Sequence, residues 1–103
     1  MTRLELKAVI ADSGLPERII VLKGRDAWAL QELVKAGPRG CTPIDHPGPR
    51  WSGYVHNLRR EYGLTIETVN ERHGPPFAGT HARYVLKSAV RVMAASGQEP
   101  EAA

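Results

Sequence analysis

A single cysteine, Cys41, stands among the 103 residues, so the chain cannot close an internal disulfide, and it suits a reducing compartment. No apolar run approaches the roughly 20 residues a membrane-spanning helix needs. The opening MTRLELKAVIADSG mixes acids with its apolar residues and holds no cleavable apolar core, which argues against a secretion signal. A cytoplasmic protein with no membrane association is the expectation. Metal-ligand spacing is also missing. Cys41, His46, His56, His73 and His81 are the candidate ligands, but as a set they match no standard zinc pattern, and prolines fix the backbone around the nearest pair, Cys41 and His46. Cys41 or Asp45 beside His46 makes a poor catalytic pair, because near neighbours along a chain rarely point at each other and no oxyanion or phosphate loop accompanies them. Gly74-Pro75-Pro76-Phe77-Ala78-Gly79 is no such loop, since its prolines lack the N–H groups that would hold phosphate. The chain is therefore expected to need no cofactor and to be no enzyme.

What is present is enough for one domain with one modest core, at 42% hydrophobic and 24% charged residues. The net charge of +3 is unevenly spread. Residues 1–49 hold seven basic and six acidic side chains, residues 50–91 hold seven and three, and residues 92–103 hold two acids alone. The positive excess thus concentrates in the middle of the chain, as on a nucleic-acid face.

Along the chain, Arg18–Leu22 is a short strand-type run and Asp26–Lys35 a helix, stopped by Gly37-Pro38. Its inner face is Ala27, Leu30, Leu33 and Val34. Trp28 falls nearly opposite and needs a cover. The apolar segment Leu4–Ile10 is the expected one, with a second copy of the chain in a homodimer as the alternative. Thr42-Pro43 suits an N-cap and first position of a short helical turn, and His46-Pro47-Gly48-Pro49 must be irregular. Arg50–Tyr62 then splits as a helix: Trp51, Tyr54, Val55, Leu58 and Tyr62 share an apolar side, while Gly53, His56, Asn57 and Arg60 share the other, flanked by Ser52 and Arg59. Gly63 is placed as a left-handed stop. Two alternating strands, Leu64–Val69 and His81–Lys87, enclose the turn-rich NERHGPPFAGT, with Phe77 expected to fold back from its tip. Amphipathic helix, tight stop, strand, long loop and strand make the second half of a winged helix.

Three pieces, GRDAWALQELVKAGPRG, PRWSGYVHNLRREYGLTIETV and HGPPFAGTHARYVLKS, make residues 18–91 resemble the small winged-helix domain proteins of bacteria and their phages. The middle piece is the most specific. The resemblance implies an α+β winged helix-turn-helix with a short N-terminal strand, about three helices and a C-terminal two-stranded β-hairpin wing. It also implies binding of double-stranded DNA, sequence-specific or architectural, as in a transcriptional regulator. The domain is expected over 18–91, with 1–17 packing on it and 92–103 a flexible tail. In that frame Ser52, His56, Asn57 and Arg60 face base edges, and Gly53 lets the helix approach the backbone. Arg50, Arg59, Arg72 and Arg83 face phosphates, and His81 joins Arg83 on the wing. The alternative is a winged helix used for protein contact inside a larger complex.

Overall fold

The N-terminal apolar segment becomes β1 (Glu5–Ile10), the middle strand of a three-stranded antiparallel sheet between β2 (Arg18–Lys23) and β5 (Val90–Ser96). The computed structural model describes residues 3–48, 50–75 and 78–97. Leu4, Leu6, Ala8 and Ile10 point inward at period two, opposite Leu22 and Ile20 of β2. On the other side Val90, Val92 and Ala95 pair with Ile10, Ala8 and Leu6, with a register shift between Lys7 and Ala8. Residues 92–96 are therefore strand, not the start of a tail. The composition that argues for a tail sets in only after Ala95, and the apolar residues before it have a buried row to join. Residues 98–103, and the expectation for Phe77, lie outside the described residues.

Helix α1 (Gly24–Ala36) lies between this sheet and the rest of the molecule, touching all three strands and the next helix. It is buried on two sides, with Ala27, Ala29, Leu30 and Leu33 at 0% exposure. That position explains Trp28. Its ring centroid lies 5.4 Å from that of Trp51 and 6.3 Å from that of Tyr54, and Gly48 packs against its edge. Rings of α2 supply its cover, while the N-terminal segment is paired into the sheet. A second copy is not needed for the purpose.

The helix count also departs from expectation. Among the described residues two α-helices are present, α1 and α2 (Trp51–Tyr62), with a 3-10 turn at Gly37–Arg39 between them. In place of a middle helix is one turn: the His46 N–H donates to the Thr42 carbonyl at 2.9 Å, and the Asp45 N–H donates to Thr42 Oγ1 at 3.0 Å. Thr42 caps as its side chain suggests, but the prolines that follow prevent extension.

Helix α2 buries Trp51, Tyr54, Val55 and Leu58, as its periodicity requires. Gly63 takes the left-handed conformation (φ 65°), and the N–H groups of Gly63 and Leu64 both reach back to the Leu58 carbonyl, the latter at 3.1 Å, so a left-handed glycine closes the helix. β3 (Ile66–His73) and β4 (Gly79–Leu86) form the hairpin. β4 has a further neighbour: Cys41 bridges Tyr84 through reciprocal N–H to carbonyl bonds of 2.9 Å each. The third strand position of the wing sheet is thus Cys41, whereas Arg18–Lys23 pairs with β1.

Cys41 is fully buried there, and desolvation, helped by the charge of Glu32, pushes its thiol up to about 12. Since the thiolate is the nucleophile, Cys41 should resist iodoacetamide at mildly alkaline pH in the folded protein and react once urea unfolds it. Rapid labelling without denaturant, followed by mass spectrometry, would show that the bridge opens readily.

Candidate nucleic-acid interface

The outward side of α2 is built by default: once Trp51, Tyr54, Val55 and Leu58 are buried, the intervening residues must face away. Ser52, His56 and Arg60 are exposed, Gly53 half-buried, and Arg50 exposed at the N-cap position. The first turn carries no acid and has no side-chain cap, so its free N–H groups and dipole add to the positive character. Among the described residues, Arg50, Ser52, His56 and Arg60 have no side-chain hydrogen bond or ion pair.

Other residues of the expected face have internal work. Asn57 Nδ2 donates to the Asp26 carboxylate at 3.3 and 3.4 Å, tying α2 to α1. Arg59 donates through Nε and Nη2 to the Ile66 carbonyl at 3.2 and 2.6 Å, and through Nη2 to Thr68 Oγ1 at 2.8 Å. It fastens the helix to the strand after the Gly63 turn. The periodicity places both side chains outward correctly, but it cannot reveal acceptors that arrive from α1 and β3.

The hairpin register separates the expected wing residues. Directly opposed residues share a face, so Arg72, opposite Thr80, lies on the face of Ala82 and Tyr84. Tyr84 stacks on Trp51 of α2 at 6.0 Å with an 18° tilt. His81 and Arg83 lie on the opposite face with Glu71 and His73. There Arg83 Nε donates to Glu71 Oε2 at 2.7 Å and its Nη1 to the Arg39 carbonyl at 2.9 Å. His81 shares a 3.1 Å hydrogen bond with Glu71 and a 2.9 Å one with His73. The Arg83 hydrogen bond holds the Glu71 carboxyl below its ordinary range, and Glu71 raises Arg83 in return. The expectation that Arg83 and His81 are free to meet phosphate is corrected by these partners. Arg72 is exposed with no side-chain partner among the described residues.

A family model for the winged helix domain matches residues 19–96. The chain belongs to the winged helix domain family. No curated protein and no solved structure matches it.

This winged helix carries a feature that linear reading missed. A groove of about 470 Å³ runs beside the first turn of α2, lined by Arg50, Gly53, Tyr54, His56 and Asn57 from that side. Its other wall is Arg3, Lys23, Arg25 and Asp26. Arg3 and Lys23 are 20 residues apart in sequence and meet because β1 and β2 are antiparallel; the Arg3 guanidinium lies against Gly24. No local motif announces this. Among the described residues no group of three or more His, Cys, Asp or Glu is arranged to hold a metal ion, and no helix is long and apolar enough to cross a membrane.

Proposed function

We propose that the protein binds double-stranded DNA without catalysis, as a transcriptional regulator, with α2 laid in the major groove. The observation that carries this reading is the outward side of α2, where Arg50, Ser52, His56 and Arg60 are unneutralised and unbonded among the described residues. At 12 residues the helix is about 18 Å long, enough to cross the groove. Ser52, His56 and Arg60 meet base edges, Arg60 being able to grip guanine in bidentate fashion. Gly53 keeps the approach open, since a Cβ there would meet nothing nearer than the Arg50 Cβ at 3.8 Å. Arg50 and Arg72 meet phosphates. Asn57 contributes to bases only by giving up its bond to Asp26, and Arg59, His81 and Arg83 support the surface from within.

Titration of random-sequence duplex at two salt concentrations tests the reading, with a slope of about −0.9 expected for each phosphate neutralised. Arg60→Ala should weaken binding to a selected site by about 1–3 kcal/mol, and Arg72→Ala should lower the salt slope by about one unit for every duplex. Absent or salt-insensitive duplex binding would overturn the proposal. It would favour a second use, as a protein-contact module, for which Ile19, Val21 and Met93 on β2 and β5, each about half exposed (56%, 47% and 46%), supply an apolar surface.

A further inference from the structure

We infer that the groove between the first turns of α1 and α2 is a binding site for a phosphate group. Four basic side chains, Arg3, Lys23, Arg25 and Arg50, line it against one acid, Asp26. They come from just before β1, the end of β2 and the beginnings of both helices, so the fold gathers like charges that repel one another until an anion sits among them. Lys23 has only a loose 3.8 Å pairing with Glu5, both side chains being well exposed. Asp26 is engaged by Asn57, which turns the single acid toward a neutral donor.

Two of the residues that line the groove each carry a buried polar atom without a partner. Arg25 Nη1 is closed to solvent and unbonded, and so is the hydroxyl of Tyr54, a residue only 6% exposed. A buried donor left unsatisfied costs free energy, more so when it is charged, and both side chains line the same groove. Once either side chain turns toward the groove, an acceptor-rich anion seated there serves as its partner. The helices reinforce the charge. Lys23 and Arg50 are the N-cap residues of α1 and α2, and neither helix start is capped by a side chain. The Gly24 N–H of α1 is taken by the Leu4 carbonyl at 2.8 Å, so the uncapped first turn of α2 is the stronger donor end beside the cavity, as oxyanions prefer. At about 470 Å³ the groove is open enough for a phosphate that remains part of a larger molecule.

A phosphate can arrive as a duplex backbone group or free in a small molecule. The groove adjoins the helix assigned to the major groove, so a backbone phosphate of the strand beside α2 is the natural occupant. That source rests on the DNA reading, whereas the chemistry of the site does not.

The test records amide and arginine side-chain NMR shifts during titration with inorganic phosphate, chloride holding the ionic strength constant. Saturable shifts are expected at Arg25, Asp26, Ser52 and Gly53. Lys23→Gln and Arg50→Gln, at exposed positions that should not disturb folding, should each weaken the effect by roughly tenfold, the scale of one charge-assisted hydrogen bond. In duplex titrations Lys23→Gln should lower the salt slope by about one unit. Shifts with phosphate but no duplex binding would leave the site standing as one for free phosphorylated ligands and remove the DNA reading. Duplex binding sensitive to Arg60→Ala, with neither phosphate shifts nor a slope change in Lys23→Gln, would overturn the groove and leave the DNA reading intact.

Discussion

Replacing Trp51 with alanine should cost about 3–5 kcal/mol of stability, the range for emptying a buried tryptophan site. Its ring is 3% exposed and touches three parts of the molecule. It stacks on Tyr84 of β4, meets Trp28 of α1 and Tyr54 of its own helix, and donates Nε1–H to the His46 carbonyl at 2.6 Å. Removing it opens a cavity among aromatic rings too rigid to collapse into the space, and leaves the His46 carbonyl without its donor. Trp51→Phe should lose less, keeping most of the packing but not the hydrogen bond, whose net worth is about 0.5–1.5 kcal/mol. Urea melts of the three proteins measure this. An alanine variant within 1 kcal/mol of the parent, on the order of a surface change, would show that the aromatic cluster does not join wing to helix.

That cluster also marks how far the sequence could be read. The apolar side of α2 was legible because Trp51, Tyr54, Val55 and Leu58 recur at helical spacing, and the left-handed stop was legible because glycine stands where the period ends. Trp28 was not. Helical periodicity assumes one buried side, and α1 has two, one on the sheet and one on α2. A tryptophan that looks stranded opposite the first side is the anchor of the second. The strands were legible individually, while their partners were not. Arg18–Lys23 and Cys41 both suit an extended chain, and only the packed fold decides that the first joins β1 and the second joins β4.

The candidate site divides along the same line. Exposed positions on one helix follow from its period, so Arg50, Ser52, His56 and Arg60 could be found from residues alone. Whether a polar side chain is free depends on what other elements bring to it. Asp26 reaches Asn57 from α1, the Ile66 carbonyl reaches Arg59 from β3, and Glu71 reaches both His81 and Arg83 across the hairpin. For the same reason Arg3, Lys23 and Arg25 escaped notice as a group, since a β1–β2 pairing must form before they face Arg50.

A large backbone effect is expected at Gly40, where Gly40→Val should displace the wing. Gly40 holds φ 71° and ψ −176°, a region that is essentially glycine's alone and costs other residues about 1–3 kcal/mol. Space is lacking as well. A Cβ there would lie 2.5 Å from the Tyr84 carbonyl oxygen and 2.9 Å from Val85 Cγ2. The carbonyl cannot retreat without stretching the bond it accepts from the Cys41 N–H, and the reciprocal bond from the Tyr84 N–H would go with it. With about 0.5–1.5 kcal/mol for each, the total is on the order of 2–6 kcal/mol. The consequences should be local as well as global. β4 would lose its link to the α1–α2 connection, Arg83 would lose the Arg39 carbonyl, and Arg72 would no longer be held at a fixed distance from α2. Hydrogen exchange of the Cys41 and Tyr84 amides should accelerate more than that of Leu6 or Ala8 in the first sheet, and the duplex salt slope should fall as in Arg72→Ala. If both amides stay protected while the first sheet weakens, the Cys41–Tyr84 bridge is not what positions the wing.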